Sequence, residues 1–224
     1  HVAVFAPHLH IAAAWLAAAE GMTSRGIAVA RAAADEARAS AQLAIEGEAL
    51  HAAARFGDTT VGDRLRVLAA TIDGRLIDLH ARHATAVADG DGTALDAVAV
   101  EYEELGALFS AADAAAQAAN IHDAAGERRH MVESAGNANR LAALCGGVVT
   151  PAIRSSAHPL PITLREREIA NLVAAGLTNR QIAERLVVSV RTVEGHIYRA
   201  CAKLDVADRE GLAKVILGTD AHRP

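Results

Sequence analysis

Three helix starts fall between Thr163 and Ser189, and each carries its own capping residue. Thr163 and Glu166 stand at T-x-x-E spacing, so the hydroxyl can accept from the backbone N–H three residues on while the carboxylate reaches back to the threonine's own N–H. Thr178 and Gln181 repeat the spacing, and Ser189 is placed to cap a third helix. Gly176 stands where a left-handed residue ends the first helix. Val187-Val188-Ser189 turns the chain between the second and the third. Starts and stops this close together leave room only for short helices joined by tight turns.

The apolar residues between these caps fall on helix faces. The first helix presents Ile169, Leu172 and Val173, and the second presents Ile182, Ala183 and Leu186. Val193, Ile197, Ala200 and Leu204 lie in a narrow arc of the third helix, at about 100° per residue. The opposite arc holds Arg191, Glu194, Gly195, Tyr198 and Ala202, flanked by Arg199 and Lys203. A fourth helix is expected from Asp208 as N-cap. It carries Leu212, Val215, Ile216 and Leu217, more apolar surface than a three-helix core needs, so Leu212, Val215 and Ile216 are expected at a dimer contact. This arrangement is that of a helix-turn-helix, with a third helix that docks by one side and offers the other to a groove.

The preceding residues are also expected to be helical, which makes the chain all-α. Apolar residues make up 52% of the 224 residues but aromatics only 3%, and alanine, the best helix former, dominates. Breaks fall near Gly21-Met22-Thr23, Gly57-Asp58, Asp73-Gly74, 89–92 and Gly126, with Thr23 or Ser24, Asp58 or Thr59, and Asp91 where N-caps are wanted. Leu65, Leu68 and Ile72 form one helical stripe, and Leu76, Leu79, His83 and Val87 another. The spacing of the breaks suits helical hairpins. The segments 49–58 and 99–119 resemble tetratricopeptide-like helices in a degenerate form, and a compact irregular bundle is the alternative. Three domains of sequence follow: a helical repeat-like body over 1–145, a Gly/Pro/Ser-containing linker over 146–161, and a helix-turn-helix domain over 162–224. The stretch 2–19 reads as a helix internal to a larger domain, and the chain as part of a longer protein.

Charge is divided along the chain. Up to Pro161 there are 12 basic and 19 acidic residues, and from Ile162 onward 10 and 8, within an overall net charge of -5. A mildly basic tail on an acidic body suits a polyanionic partner for the tail. Cys145 and Cys201 are not in a CxxC pair, so reduced thiols in a cytoplasmic protein are expected. No signal peptide or membrane span is visible. Neither is a GxxxxGK[ST] loop, a G-x-S-x-G elbow or an H-E-x-x-H pair, so no catalytic residue, cofactor or metal is expected. His8 with His10, and His80 with His83, lack an acidic or cysteine partner at ligand spacing and read as scattered surface histidines. Glu101, Glu103 and Glu104 read as a solvated helix face. Glu168 reads as half of an intradomain pair with an arginine, and His196 as a partly buried packing residue.

The tail resembles the DNA-binding domain of LuxR-type (NarL/FixJ) regulators. The matching residues are Leu164-x-Arg-Glu-x-Glu168, Gly176-Leu-Thr-Asn179, Gln181-Ile-Ala183, Leu186, Ser189, Thr192-Val193, His196 and Lys203-Leu204. The resemblance implies a four-helix domain whose third helix, 190–203, enters the major groove of promoter DNA as part of a homodimer. It implies phosphate contacts from Thr178, Asn179 and Arg180, with Arg199 and Lys203 as further candidates. It implies base readout by Arg191, Val193, Glu194, Gly195 and Tyr198, with Thr192 also among the DNA-binding residues. Relatives often carry a basic residue where Glu194 and Tyr198 stand, so their target sequence does not transfer. A long alanine-rich helical array before the domain resembles the large ATP-binding LuxR-type regulators, in which nucleotide binding belongs to a module upstream of such an array. The expected function is sequence-specific transcription regulation, with the body receiving protein or effector contacts. The alternative is a helical interaction scaffold with weak or vestigial DNA binding.

Overall fold

The computed structural model describes residues 5–157 and 162–220, and among them there are thirteen α-helices and no strand. They fall into two compact units, divided near residue 160, with residues 20–24 grouped with the second. Each unit has its own core. The first contains α1 (Ala6–Ala19), α2 (Thr23–Ala39), α3 (Leu43–Arg55), α4 (Gly62–Ala69), α5 (Arg75–Asp89), α6 (Gly92–Glu104), α7 (Leu108–Ala125), α8 (Arg128–Leu144) and α9 (Pro151–Ala157). The second contains α10 (Leu164–Ala174), α11 (Asn179–Leu186), α12 (Val190–Lys203) and α13 (Arg209–Asp220).

Consecutive helices of the first unit pack on one another from α3 to α9, and α7 also touches α3 and α9. Alanine makes this possible. Ala111, Ala112, Ala114, Ala115 and Ala118 of α7 are all fully buried, so this helix is enclosed on every side. With only a methyl group to place, neighbouring backbones approach closely. Leu65 and Leu79 are buried as their stripes require, and Leu95 fills the space between α6 and α7. Leu76, counted in the same stripe as Leu79, is 43% exposed.

Asp91 caps α6, accepting from the Ala94 N–H at 2.9 Å. Asp58 caps no helix. It closes a turn by accepting from Thr60 N–H at 2.9 Å, and α4 begins four residues later at Gly62. Two breaks have no counterpart in the sequence reading: Ala41, at φ 56°, separates α2 from α3, and Gly106, at φ 78°, separates α6 from α7. Part of the segment read as linker is helical. Pro151 opens α9, where its missing N–H costs nothing, and Thr150 Oγ1 accepts from Ile153 N–H at 3.2 Å. Ala152 and Ile153 join the core formed with α7 and α8. Residues 158–161 of that segment lie outside the described residues.

Three of the six aromatic residues, Trp15, Phe56 and Phe109, gather around one arginine. Arg55 lies 4.4 Å from the Trp15 ring centre and 3.9 Å from that of Phe109, and Phe56 meets Trp15 edge-on. Its guanidinium donates to Asp113 at 2.7 Å, with Thr150 on the other carboxylate oxygen. Burial pushes the Asp113 carboxyl up, and the charge of Arg55 opposes it.

Beside this pair is a buried polar cluster that corrects the expectation of surface histidines. His51, His80 and His83 are 4%, 6% and 0% exposed. His51 Nε2 lies 3.0 Å from His83 Nδ1 and 3.0 Å from the Tyr102 hydroxyl, and His83 Nε2 lies 2.6 Å from Gln117 Oε1. The His80 ring stacks on His51. Burial drives the His80 imidazole down to about 3, helped by His83 and Arg55. Burial likewise drives His83 to about 4 against the pull of its hydrogen bond to Gln117. The cluster is therefore neutral at pH 7, a hydrogen-bonded set inside an apolar helical stack.

Candidate nucleic-acid interface

The second unit forms as its caps require. Thr163 Oγ1 accepts from Glu166 N–H while Glu166 accepts from Thr163 N–H at 2.8 Å, and Thr178 with Gln181 makes the same reciprocal pair. Ser189 Oγ accepts from Thr192 N–H at 3.0 Å. Asp208 Oδ1 accepts from Gly211 N–H at 2.8 Å, so the fourth helix starts where it is expected. Gly176, at φ 83°, ends α10 in the left-handed region. The turn between α11 and α12 uses Val187 in that region, at φ 54°, with its side chain 90% exposed. A β-branched residue is strained there. The turn holds because Val188 N–H still reaches Ala183 O at 3.0 Å, closing the end of α11.

The core of the unit contains Ile169, Leu172, Val173, Ile182, Ala183, Val193, Ala200, Leu212 and Ile216. Three expected site residues are thereby reassigned. Val193 is fully buried, so it can present nothing to a groove. Leu212 and Ile216 are 0% and 3% exposed, so they complete the core of their own unit and are not available to a second copy. A helix stripe that exceeds the needs of a three-helix core is here the fourth wall of a four-helix core. Val215 remains partly exposed.

On the outer side of α12, Arg191, Thr192, Glu194 and Tyr198 are exposed. Tyr198 is 76% exposed, so it does not serve to cover apolar surface. Gly195 is partly exposed, and a Cβ there would meet only the far end of Arg199, at 3.6 Å. At the start of α11, Thr178 and Arg180 are exposed and Asn179 is half-buried. Arg180 pairs along its own helix with Glu184 at 3.2 Å. Arg209, a residue the sequence reading did not single out, donates to Asn179 Oδ1 at 2.7 Å and also to the carbonyl of Leu177. It fixes the α11 end against α13 through the Asn179 amide oxygen. Thirty residues separate the pair, and no local pattern announces it.

Arg199 and Lys203 are not idle surface cations. Lys203 Nζ lies 2.8 Å from Glu166 Oε2 and Arg199 Nε 3.5 Å from Glu166 Oε1, and the Glu166 side chain is only 3% exposed. Burial pushes the Glu166 carboxyl up, but the hydrogen bonds from Lys203 and Thr163 outweigh it and hold the group below the usual carboxylate range. One buried carboxylate thus caps α10 and anchors the last turn of α12. Both cations stay partly in water, 52% for Arg199 and 40% for Lys203. Glu168 pairs with Arg165 at 2.5 Å, as expected of an intradomain contact. His196 is half-buried, and burial together with the charge of Arg199 lowers its imidazole below the ordinary value.

Two short helices joined by a tight turn, with the second docked by one face and open on the other, define a helix-turn-helix. Residues 160–216 match the family model of bacterial regulatory proteins, luxR family, so the chain carries a LuxR-family helix-turn-helix domain. Over 69 residues the chain is 41% identical to the transcriptional regulatory protein LiaR of Bacillus subtilis, which is 30% of this chain and 33% of the relative. It is 42% identical over 81 residues to the tetrathionate response regulatory protein TtrR of Salmonella typhimurium, 36% of this chain and 33% of the relative. A putative HTH-type transcriptional regulator of Mycobacterium bovis is 48% identical over 48 residues, 21% of this chain and 5% of the relative. The chain thus spans about a third of the length of the first two relatives. No solved structure matches it. Among the described residues no helix is long and apolar enough to cross a membrane.

Proposed function

We propose that the second unit binds promoter DNA in a sequence-dependent way and that the protein regulates transcription. The observation that carries this reading is the exposed outer face of α12, with Arg191, Glu194 and Tyr198 away from the buried Val193 and Ala200. α12 enters the major groove. Arg191, Thr192, Glu194, Gly195 and Tyr198 face the base edges, where arginine suits guanine and glutamate suits the cytosine amino group. Thr178, Asn179 and Arg180 meet phosphate at the start of α11, where backbone N–H groups point outward. Arg199 and Lys203 meet phosphate farther along α12. The protein acts as a two-fold pair on two half-sites, with Val215 the one residue of the expected contact that retains exposed surface.

The helical unit is the regulatory part, receiving a protein or effector in the cytoplasm. The matched domain is only 5% of the mycobacterial relative, so such domains also occur in very long chains, which supports placing this one in a large regulator.

Selection of the 224-residue chain against a genomic DNA library at two salt concentrations tests the proposal. Enrichment of a shared sequence, with affinity falling as salt rises, is the expected result. No enrichment and no salt dependence refute it. Arg180→Ala should weaken binding to all sequences and lower the salt slope by about 1, whereas Arg191→Ala should change which base is preferred.

A further inference from the structure

At the turn between α7 and α8, three ligand-type side chains converge that the DNA reading does not use. His122 lies in the last turn of α7, Gly126 turns the chain at φ 76°, and Glu127 and His130 sit at and just inside the start of α8. His122 Nδ1 lies 2.5 Å from Glu127 Oε2, and His130 Nδ1 lies 3.6 Å from the same oxygen. One donor atom from each of the three residues falls within 4.8 Å of the other two. The second nitrogen of His122 is already committed, with Nε2 3.0 Å from Asp96 Oδ2, and Ser134 donates to the other oxygen of Asp96 at 2.7 Å.

The His122 ring is held firmly. Its side chain is 3% exposed, and Gly92 leaves the space it occupies, since a Cβ on Gly92 would fall 2.6 Å from the ring. By contrast Glu127 and His130 are 50% and 55% exposed. The group therefore has one buried, pre-set ligand and two that can adjust from the solvent side. An imidazole whose far N–H is taken by a carboxylate, itself hydrogen-bonded in turn, is the usual support of a metal-bound histidine.

We propose that His122 Nδ1, the Glu127 carboxylate and His130 Nδ1 bind one divalent transition-metal ion of the zinc class. Two imidazoles and one carboxylate suit such an ion, whereas magnesium and calcium prefer oxygen donors throughout. Binding moves Glu127 outward, because ligand atoms about 2.0–2.2 Å from a tetrahedral zinc cannot remain in hydrogen-bond contact with each other. Glu127 can make that shift, being half exposed at the N-cap of α8. Water completes the coordination on the solvent side. The bound ion ties the end of α7 to the start of α8 and fixes the α7–α8 hairpin of the helical unit.

Calorimetric titration of the 224-residue protein with zinc chloride, and separately with magnesium chloride, is the test. The expected result is one zinc ion bound per chain that is absent in His130→Ala, with no comparable magnesium binding. His130 is exposed, so its replacement does not threaten the fold. Asp96→Asn, which keeps the size of the side chain, should weaken zinc affinity about 10–100-fold. Cobalt(II) should give the intense visible absorption of a low-coordinate site in the parent and not in His130→Ala. Absence of stoichiometric zinc binding overturns the proposal. So does zinc binding that is equal in the parent and His130→Ala, since the exposed His8 and His10 would then be its source.

Discussion

Replacing Lys203 with Met removes the main counter-charge of a carboxylate that is 3% exposed, and replacing Glu166 with Gln removes the carboxylate charge while keeping an oxygen for the Thr163 N–H. For charge centres about 4 Å apart, the attraction at an effective dielectric of about 20 is about 4 kcal/mol. Lys203 keeps 40% of its side-chain surface in water, so screening reduces this substantially. Arg199, at 3.5 Å from the other oxygen, compensates for part of the remainder. A coupling energy of about 1–2 kcal/mol is expected from chemical denaturation of the parent, both single variants and the double variant. In the proposed DNA complex the same pair governs the phosphate contacts of α12. Glu166→Gln releases Lys203 and Arg199 from a competing anion and removes one negative charge from the unit, so DNA affinity at low salt should rise severalfold. Lys203→Met should lower it. A coupling indistinguishable from zero, or equal loss of DNA affinity in both variants, would refute the idea that Glu166 restrains these cations.

Three further outcomes follow from the geometry. Gly195→Ala should stabilise the second unit by about 0.5–1 kcal/mol, because a methyl group there makes only an ordinary contact with the end of the Arg199 side chain and a mid-helix glycine is costly; a lower denaturation midpoint would contradict this. Ser189→Ala should cost about 1 kcal/mol, read as earlier unfolding of the second unit, through loss of the hydroxyl that accepts from Thr192 N–H. Acidification should unfold the helical unit early: its histidines protonate near 6.5 when unfolded but near about 3 for His80 and about 4 for His83 when folded, so the unfolded chain binds more protons in between. Stability is then intact above about pH 6.5 and falls below it, by about 2 kcal/mol per buried histidine at pH 5. A denaturation midpoint that does not move between pH 7 and pH 5 would show that the cluster is not held neutral by burial.

The sequence announced the caps of the second unit, which are decided within a few residues. Thr163, Thr178, Ser189 and Asp208 each cap the helix they precede, because a cap is satisfied locally. The errors occur where a residue's role depends on how many neighbours surround it. The α13 stripe shows that Leu212 and Ile216 share a face, not whether that face meets its own unit or a second copy. Val193 belongs to a buried arc and to a family reading position at once, and only packing decides between them. The Glu166–Lys203 pair and the Asn179–Arg209 pair join residues 37 and 30 positions apart, with nothing in between to signal them. In the helical unit, His83 lies in the same stripe as Leu79, yet histidine's mixed polarity made it read as surface. Ala41 breaks a helix without glycine or proline, so composition gave no warning. The His122–Glu127–His130 group was hidden because its spacing spans a turn, not a single helix face.

The alanine core of the helical unit has a consequence for how such a protein can change over time. A single-base change in an alanine codon yields valine, threonine, serine, proline, glycine, aspartate or glutamate. Where Ala112, Ala115 and Ala118 lie fully buried against neighbouring helices, most of these are too large, too polar or helix-breaking. Few substitutions there are neutral, so the helical unit is confined to a narrow set of sequences. The outer face of α12 is under no such restriction, since Arg191, Glu194 and Tyr198 touch mainly water. On the DNA-binding function proposed above, mutation can then redirect what the second unit reads while the core of the first stays nearly fixed, and target choice becomes the quickest property of this protein to evolve.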